Sequence, residues 1–285
     1  MLVQWLYGKP VSEAVCAPLP LRIAALRGRG VHPCLAIVRI GDSADDISYE
    51  RGAMKKCQSI GIKTEQHALT IDISRQELIA RLSALNADSN VHGILLLRPF
   101  PAHIDELEVR NTISRYKDVD GFSPENTAKL YEGDDSGFPP CTPTAVVDML
   151  KYYQVPLAGS RVVVLGRSLT VGMPVSMLLL RENATVTICH SKTQNMREIT
   201  TGADILISAV GKAGLINGDY VKEGAVVIDI GINCDAEGNL CGDADVAGVL
   251  GKIKGITPVP GGVGSVTTSI LARHVVQACE MISSL

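Results

Sequence analysis

The feature of this sequence that most limits its fold is an alternation of short apolar segments with segments of helical periodicity. In the first half, apolar runs typical of strands are separated by stretches with apolar residues every three or four positions. Strands joined by helices pair in parallel, so this half predicts an α/β unit with a mainly parallel sheet. The predicted strands are 33–40, 62–69 and 91–97, and the predicted helices are 11–27, 48–60 and 75–86.

A stretch rich in Pro, Gly and Asp, from 117 to 143, interrupts this alternation and predicts a connection or a functional loop. A helix over 144–153 follows, and the alternation then restarts in a doubly wound, nucleotide-binding pattern. With 285 residues the chain is long enough for two domains. The predicted strands of this half are 161–165, 185–189, 205–209 and 226–230, and its helices are 174–181, 196–202, 220–223 and 265–283.

Charge and composition argue against several classes of protein. Lys and Arg number 27 against 30 Asp and Glu, so no basic excess is available for nucleic-acid binding. The longest apolar runs are too short to span a membrane, and the first residues lack the pattern of a signal peptide. The eight cysteines are scattered singly, which predicts reduced thiols in a cytoplasmic protein and no metal site.

The turn after Leu165 is a candidate phosphate-binding loop. Gly166 and Gly172 flank Ser168, and small residues let backbone amides approach a phosphate at a helix N-terminus. The spacing departs from G-x-G-x-x-G, so a tight turn without a ligand stays open as an alternative. The strand ending at Cys189 is followed by His-Ser-Lys-Thr, without the carboxylate that holds the ribose of NAD. Together with Arg167, these side chains favour the 2′-phosphate of NADP over NAD.

Several longer motifs, in a fixed order, are similar to one family. With them, the chain resembles the bifunctional methylenetetrahydrofolate dehydrogenase/methenyltetrahydrofolate cyclohydrolases over nearly its whole length. The motifs are Gly-Lys at 8–9, Gly-Ile-Leu at 93–95 with Pro99 and Pro101, Lys-Asp-Val-Asp-Gly-Phe at 117–122, Pro-Cys-Thr-Pro at 140–143, Gly-Arg-Ser at 166–168 with Val-Gly-x-Pro at 171–174, His-Ser-Lys-Thr at 190–193, Ala-Val-Gly-Lys at 209–212, Ile-Asp-x-Gly-Ile-Asn at 228–233 and Thr-Pro-Val-Pro-Gly-Gly-Val-Gly at 257–264.

This resemblance implies an α/β protein of two domains with a cleft between them. Residues 1–143 would form an N-terminal catalytic domain that binds folate, completed by the C-terminal helix at 265–285. Residues 144–264 would form a Rossmann-like, doubly wound domain that binds NADP. The resemblance further implies tetrahydrofolate derivatives as substrates and a homodimer joined through the nucleotide domains.

The same resemblance assigns roles to individual residues. Asp120 matches the aspartate that accepts hydrogen bonds from the amino-pyrimidine ring, and Tyr49 matches the tyrosine that lies along the folate. Pro260, Gly261 and Gly262 belong to the loop that closes over substrate and nicotinamide. The positions matched to the cofactor are Gly166, Arg167, Ser168, Ser191 and Ile232, with Thr142, Ala209, Gly264 and Thr267 as neighbours.

The sequence departs from the family pattern at one hydrogen-bonded pair. The family carries Tyr-x-x-x-Lys, and its lysine is central to the cyclohydrolase step; here Ala53 stands at that position. The glutamine that contacts this lysine is replaced by Leu97. Lys56 returns to nearly the same helical face about 4.5 Å farther along the axis, so it is a candidate substitute. Arg98 follows Leu97 on a predicted strand and is expected to point to the opposite side.

These observations predict an NADP-dependent enzyme that oxidises 5,10-methylenetetrahydrofolate, with the cyclohydrolase step weak or lost. Three alternatives stay open. The enzyme could be fully bifunctional with Lys56 in place of the missing lysine, or a non-catalytic folate- or nucleotide-binding homologue. A two-domain dehydrogenase for another small molecule is disfavoured by Asp120 and by the loop at 258–264.

Overall fold

Two compact units, each built on its own parallel sheet, make up the chain in the computed structural model, which describes residues 3–235 and 237–284. One unit comprises Ala14–Cys141 and the residues from Thr268 onward. The other comprises the residues up to Glu13 and Thr142–Thr267. We name them the three-stranded and the six-stranded unit. This confirms the predicted fold class of two α/β domains with parallel sheets.

The three-stranded unit contains a sheet in the order β3-β2-β4, with both strand pairs parallel. The central strand β2 is buried along its whole length, as expected for a strand covered by helices on both faces. Its elements are α2 (Leu19–Gly28), β2 (Cys34–Ile40), α3 (Ala44–Ile60), β3 (Lys63–Leu69), α4 (Arg75–Ala87), β4 (Gly93–Leu96), α5 (Glu106–Thr112) and α6 (Pro124–Glu132).

The single helix predicted over 11–27 is wrong, because the structure has two helices there. The helix α1 (Gly8–Cys16) ends before Pro18, and α2 begins at Leu19. Proline lacks the backbone N–H that continues a helix and its ring clashes with the preceding turn, whereas a first-turn position accepts it. The apolar periodicity continues across the break, which is why the sequence pattern hid it.

The stretch predicted as loop from 117 to 143 contains a helix, α6. Ser123 caps its first turn by accepting a hydrogen bond from the Asn126 amide, and Gly133 ends it in the left-handed conformation (φ 76°). Pro124 occupies the first helical position, where its missing N–H costs nothing. The proline therefore starts a helix here rather than marking a loop.

The six-stranded unit contains a sheet in the order β1-β11-β8-β7-β5-β6, with all pairs parallel. The strand β1 pairs with β11, so the first residues of the chain join this sheet rather than the predicted N-terminal domain. Its remaining elements are β1 (Gln4–Trp5), α7 (Cys141–Tyr152), β5 (Arg161–Leu165), α8 (Gly172–Arg181), β6 (Thr185–Cys189), α9 (Met196–Thr200), β7 (Ile205–Ser208), a 3₁₀ turn (Gly218–Tyr220), β8 (Val226–Asp229), β9 (Asn233–Cys234), β10 (Leu240–Cys241), α10 (Val246–Val249), β11 (Gly255–Ile256) and α11 (Gly264–Ile282).

Each unit has an apolar core of its own beside its sheet. In the three-stranded unit, inward residues of β2 and β4 pack against α4 through Leu78, Leu82 and Leu85. In the six-stranded unit, β5, β7 and β8 pack with Val221 and Val249. Within the described parts of the chain, we find no helix with the length and apolarity needed to cross a bilayer.

A buried ion pair fixes α3 to β2. Arg39 on β2 donates to Glu50 on α3 at 2.8 Å, and both side chains are almost wholly buried. Gln66 on β3 also donates to Glu50. Arg39 has a second acidic partner, Asp42, at 2.7 Å, but that carboxylate is 88% exposed. The helix that carries Tyr49 is therefore tied to the sheet through Glu50, the next residue.

Replacing Glu50 by Ala should lower the free energy of unfolding by about 3–5 kcal/mol, because it leaves a buried guanidinium with only one, exposed, acidic partner. The Asp42→Ala variant is the matched control and should cost below about 1 kcal/mol, since the Asp42 carboxylate is exposed. Urea unfolding followed by circular dichroism measures both. Equal losses in the two variants would contradict this account of the ion pair.

Candidate active site

The carboxyl edge of the three-stranded sheet brings together the residues that the sequence singled out in the first half. The chain leaves β2 toward α3, which carries Tyr49 and Ala53, and it leaves β4 at Leu97 and Arg98. Because β2 and β4 are parallel neighbours, both exits lie at the same edge. We call Tyr49, Ala53, Leu97, Arg98 and Asp120 the Asp120 site.

The charged residues of the segment 117–122 have two different roles, since some stabilise the fold and one can bind a ligand. Lys117 is buried and donates to the carbonyls of Leu85 and Asp88 at 3.0 and 2.6 Å, which holds the segment to the end of α4. Asp118 is 1% exposed and accepts hydrogen bonds from the amides of Phe122 and Ser123 and from the Asn126 side chain, at 2.7–2.9 Å. These two side chains are therefore committed to the fold.

Asp120, in contrast, keeps accepting capacity for a ligand. Its Oδ1 accepts from the Cys141 amide at 3.1 Å and its Oδ2 lies 3.4 Å from the Arg98 guanidinium, while the side chain stays 23% exposed. Burial raises the pKa of the Asp120 carboxyl, and the charge of Arg98 together with the Cys141 amide works against that rise. A ligand that donates hydrogen bonds here would further stabilise the carboxylate.

Tyr49 lies close enough to this carboxylate for the charge of Asp120 to affect the pKa of its hydroxyl. Burial raises the pKa of the Tyr49 hydroxyl well above its ordinary value, the Asp120 charge adds to the rise, and Arg98 opposes it. The hydroxyl is therefore neutral at pH 7 and can donate one hydrogen bond. Tyr49 and Asp120, which lie 71 positions apart in the sequence, are thus close enough to interact electrostatically.

The positions that depart from the family pattern are apolar and closed to water. Ala53 lies one turn after Tyr49 on α3 and is fully buried, and Leu97 is 7% exposed. Lys56 follows on α3 as a half-buried side chain next to Cys57, and its charge lowers the pKa of that thiol against the larger effect of burial. Arg98 is a cation that lowers the pKa of the Tyr49 hydroxyl against the effect of burial.

A buried thiol and imidazole lie behind Asp120, and both are neutral. The Nδ1 atom of His274 lies 2.9 Å from the Val119 carbonyl, and burial lowers the pKa of this imidazole to about 3. The Cys141 thiol lies 3.4 Å from the same carbonyl and 3.8 Å from the imidazole, and burial beside Asp120 raises its pKa well above the ordinary value. The pair thus supports the Asp120 segment and does not form a thiolate nucleophile.

In the six-stranded unit, the turn at 166–172, which we call the Gly166 turn, packs closely against neighbouring backbone. A Cβ on Gly166 (φ 117°) would lie 2.6 Å from the Ala209 carbonyl oxygen, and one on Gly172 would lie 2.2 Å from the carbonyl oxygen of Gly166. Ser168 Oγ accepts from the Val171 amide at 3.1 Å and so shapes the turn. The close packing explains both glycines, and the turn leads into the N-terminus of α8, whose first amides donate to Ser168.

The neighbouring strand end completes a polar patch beside this turn. Leu165 pairs with Cys189 in the sheet, so the Gly166 turn and the His190–Thr193 segment leave adjacent strands at the same edge. The Thr193 hydroxyl accepts a hydrogen bond from the His190 amide at 2.9 Å. The His190 imidazole accepts one from the Lys192 amide at 3.2 Å. The side chains at 167, 191 and 192 remain exposed and offer a guanidinium, a hydroxyl and an ammonium.

The strand order places this patch at the switch point of the sheet. The chain runs from β5 outward to β6 and then returns to β7 on the other side of β5. Ligands of doubly wound sheets bind outside the carboxyl ends of the strands at such a point. Ala209 follows β7 and Ile232 follows β8, where Ile232 is 73% exposed.

Two buried aspartates hold the loops at this edge. Asp243 accepts from the Ser208 hydroxyl at 2.8 Å and from the amides of Val210 and Lys212 at 2.9 Å. Asp229 accepts from the amides of Gly231 and Ala244 at 2.9 and 2.8 Å. These carboxylates fix the segments that carry Ala209 and Ile232, and the sequence analysis gave them no role.

The loop at 257–264 is packed against the start of α1. The Gly8 amide donates to the Gly261 carbonyl at 2.8 Å, and a Cβ on Gly8 would lie 2.1 Å from Ser265 Oγ. Gly261 has φ 99°, and a Cβ on Gly262 would lie 2.4 Å from the Pro258 carbonyl oxygen. The Gly-Lys motif at 8–9 and the Pro-Gly-Gly motif at 260–262 are thus packed against each other. Gly264 and Thr267 follow at the beginning of α11.

Comparison with known proteins decides the family. Residues 6–120 match the family model "Tetrahydrofolate dehydrogenase/cyclohydrolase, catalytic domain", and residues 140–283 match the "NAD(P)-binding domain" of the same family. The chain belongs to the tetrahydrofolate dehydrogenase/cyclohydrolase family. This confirms the resemblance seen in the sequence.

Relatives match along the whole chain. The "Bifunctional protein FolD" of Clostridioides difficile is 57% identical over 98% of this chain and 97% of its own length. A crystal structure of a bifunctional FolD dehydrogenase/cyclohydrolase from Campylobacter jejuni is 39% identical, covers 98% of this chain and 99% of that one, and superimposes with a TM-score of 0.95. The Trypanosoma brucei FolD structure, complexed with NADP cofactor and inhibitor, is 33% identical, covers 99% of both chains and has a TM-score of 0.94.

The structure brings the site residues predicted from this family into two groups, one in each unit. Tyr49, Leu97 and Asp120 lie in the Asp120 site. The predicted residues of the six-stranded unit are distributed over the Gly166 turn, the adjacent strand ends, the loop at 257–264 and the first turns of α7 and α11; they are Thr142, Gly166, Arg167, Ser168, Ser191, Ala209, Ile232, Pro260, Gly261, Gly262, Gly264 and Thr267.

The expectation that Arg98 points away from the site is wrong. The strand β4 ends at Leu96, so the alternation of a strand no longer governs Leu97 and Arg98. Arg98 turns to Asp120 and also stacks on the Phe122 ring, with Cζ 4.5 Å from the ring centroid. The signal in the sequence was a cation directly before Pro99, at a position where the strand had to end.

Substitution by Asn should lower the stability of the protein much more at Asp118 than at Asp120. In Asp118→Asn an amide NH₂ faces buried N–H donors, so the melting temperature should fall by several degrees, with each unsatisfied donor costing about 1–3 kcal/mol. In Asp120→Asn a carboxylate disfavoured by burial is removed, so the melting temperature should change little. Thermal unfolding followed by circular dichroism compares the two, and a larger loss in Asp120→Asn would refute the division of roles.

Proposed function

We propose that the protein oxidises 5,10-methylenetetrahydrofolate to 5,10-methenyltetrahydrofolate with NADP, and that its cyclohydrolase activity is weak or lost. Membership of the family supports the first part, as do relatives that are named bifunctional FolD over nearly their whole length. The single observation that carries the second part is the replacement of the family's lysine and glutamine by buried Ala53 and Leu97.

The Asp120 site would bind the pterin end of the substrate. The amino-pyrimidine ring offers two neighbouring N–H donors, and an ionised carboxylate with free lone pairs accepts both. Asp120 is held in place through the Cys141 amide and Arg98, while the neutral Tyr49 hydroxyl lies nearby as a donor. The loop residues Pro260, Gly261 and Gly262 would close over the substrate, as the resemblance implies.

The Gly166 turn and its neighbours would bind NADP. The amides at 171–173 donate to Ser168, so the exposed side chains beside the turn carry this part of the proposal: Arg167, Ser191 and Lys192 suit the 2′-phosphate. The Trypanosoma brucei relative, whose structure contains NADP, supports the choice of this cofactor. NAD is the weaker candidate, because no carboxylate follows β6 within the segment 190–193.

In the oxidation step, the main role of these residues is to position the substrate. The bound nicotinamide supplies a hydride acceptor, and the lone pair of a substrate nitrogen stabilises the cation that forms when hydride leaves the bridging carbon. Asp120 and Tyr49 would orient the pterin, and the loops at 209–212 and 230–233, which Asp243 and Asp229 fix, would contribute to holding the cofactor. No proton has to move at the enzyme's side chains for this step.

Hydrolysis of the methenyl product asks for more. Water must attack the one-carbon unit and a proton must reach the departing nitrogen, which is general acid–base catalysis worth about 10²–10⁴-fold. Ala53 and Leu97 cannot carry protons. A guanidinium carries N–H donors and no acceptor, so Arg98 cannot act as a base, and the Tyr49 hydroxyl is held neutral.

A fully bifunctional enzyme is the second candidate, favoured by the printed names of the relatives. It requires Lys56 to act from a position three residues after Ala53. A non-catalytic homologue that binds folate or nucleotide is a third candidate. We also propose that the protein works as a homodimer in the cytoplasm, as the resemblance implies.

Restoring the family pair should restore hydrolysis. The purified wild-type protein should reduce NADP with 5,10-methylenetetrahydrofolate and hydrolyse 5,10-methenyltetrahydrofolate slowly. The double variant Ala53→Lys/Leu97→Gln should hydrolyse at least about tenfold faster, since it regains a titratable group. Both steps are measured spectrophotometrically on one preparation.

Lys56→Ala is the control for this experiment. It should leave the slow hydrolysis unchanged, whereas a loss of hydrolysis in this variant would support the bifunctional candidate. Rapid hydrolysis by the wild type would refute the proposed loss, and absence of turnover with retained NADP and folate binding would favour the non-catalytic candidate.

Cofactor selectivity should depend on the guanidinium in the Gly166 turn. Arg167→Ala should raise KM for NADP about tenfold or more, because it removes a charge-assisted hydrogen bond to the 2′-phosphate, and should change KM for NAD little. Arg181→Ala, at the other end of α8, is the control and should affect neither constant. Equal effects of Arg167→Ala on NADP and NAD would contradict the assignment. Initial rates over a range of cofactor concentrations measure these constants.

A further inference from the structure

Arg98 is a charged residue in the Asp120 site to which the family pattern assigns no function. Its guanidinium lies 3.4 Å from Asp120 Oδ2, and both side chains are partly open to solvent, at 21% and 23%. It is the residue directly after Leu97, one of the two positions that depart from the family pattern. The site has therefore lost one cation at position 53 and holds another at position 98.

Phe122 holds the guanidinium in this position. Arg98 stacks on one part of the ring at 4.5 Å, and Arg110 lies 5.4 Å from the same ring while donating to the Phe122 carbonyl at 2.9 Å. Phe100 packs edge-on against Phe122 at 5.9 Å, and Phe122 is 6% exposed. A planar guanidinium can stack on a ring and pair with a carboxylate at once, which an ammonium does less well.

The Asp120 carboxylate depends on few partners for its charge and its orientation. Cys141 supplies a hydrogen bond from its amide to Oδ1 and a second one from its thiol, and Arg98 supplies the charge beside Oδ2. Asp118 opposes ionisation through like charge. The titratable and charged groups that bear on Asp120, or on the Tyr49 hydroxyl and the Cys141 thiol beside it, are Tyr49, Cys57, Arg98, Asp118, Cys141, Arg273 and His274.

We propose that Arg98 is a positioning residue of the folate site, which keeps the Asp120 carboxylate ionised and oriented toward the two N–H donors of the pterin ring. This inference rests on the proposed function, since it takes a tetrahydrofolate derivative as the ligand of Asp120. A carboxylate accepts both N–H donors, whereas a protonated carboxyl group presents one donor of its own and loses that match. Arg98 thereby contributes to substrate binding and not to the hydride step.

The sign of the pH dependence follows from the charge of Arg98. A nearby cation favours the ionised form, so it lowers the pKa of Asp120 against the rise caused by burial. Removing the cation lets that pKa rise. The acid limb of kcat/KM for the folate substrate should therefore move to higher pH in a variant without the charge.

The experiment compares Arg98→Met with Arg115→Met. Arg115 is a matched control, because it also stacks on an aromatic ring (Tyr116, 4.1 Å) and pairs with a carboxylate (Glu125, 3.3 Å) in the same unit. Arg98→Met should raise KM for 5,10-methylenetetrahydrofolate about tenfold or more, change kcat less than about threefold and shift the acid limb upward. Arg115→Met should keep all three at wild-type values.

Two further variants separate positioning from a merely structural role. Arg98→Lys keeps the charge, so it should retain the acid limb near its wild-type pH even where KM rises, and it serves where Arg98→Met does not fold. In an Asp120→Asn background, Arg98→Met should cause no further increase in KM, because the two residues act as one unit.

Unchanged KM and an unshifted acid limb in Arg98→Met, or changes equal to those of Arg115→Met, would overturn the inference. If the wild type shows no turnover, the proposed reaction fails while the inference is still decided by calorimetric binding of tetrahydrofolate. Binding weakened about tenfold in Arg98→Met supports it, and equal binding, or no binding to the wild type, overturns it.

Discussion

Both groups of site residues depend on one property of parallel sheets, which is that all strands deliver the chain to the same edge. In the three-stranded unit, β2 and β4 are neighbours, so α3 with Tyr49 and the segment with Leu97 and Arg98 must begin side by side. In the six-stranded unit, β5 and β6 place the Gly166 turn beside the segment 190–193. The sheet therefore brings residues distant in sequence near one another, and contacts such as Arg98–Asp120 then hold them.

A binding site at such an edge needs polar groups that are not already hydrogen-bonded within the protein. The segment 117–122 contains one aspartate of each kind. Asp118 accepts hydrogen bonds from two amides and one side-chain amide, which pays for its burial. Asp120 accepts from the Cys141 amide and pairs with Arg98, but its side chain stays 23% exposed and burial disfavours its charge. Its carboxylate can therefore accept further hydrogen bonds from N–H donors. Two aspartates separated by one residue thus serve opposite purposes.

The sequence predicted much of this arrangement, and its errors have physical causes. The strands β5 and β6 were placed correctly to the residue, because β-branched runs ended by turn residues leave little ambiguity. The helices α1 and α2 were merged, since apolar spacing continues across Pro18 and only the chemistry of proline breaks them. Helix α6 was missed because Pro124 was counted as a loop residue rather than as a helix start.

Site residues that follow a strand were harder to orient than those within it. Arg98 was assigned to the wrong side because alternation was extended beyond Leu96, where the strand ends. The roles of Asp229 and Asp243 in holding loops could not be found from sequence, because each accepts backbone amides from segments that become neighbours only in the fold. The Gly166 and Gly172 positions, by contrast, were recognisable because close backbone approach permits only glycine.

The joint absence of the family's lysine and glutamine is easier for the fold to accommodate than the loss of either residue alone. Losing one of two buried, hydrogen-bonded partners leaves the other unsatisfied at a cost of about 1–3 kcal/mol, whereas replacing both by apolar groups can be nearly neutral. Ala53 and Leu97 are both buried, so the apolar replacements are closed to water and leave no polar group of the former pair behind. The fold can therefore tolerate the double change while the site loses a titratable group. Hydride transfer, which needs donor and acceptor held in register, makes no demand on that group; attack by water does.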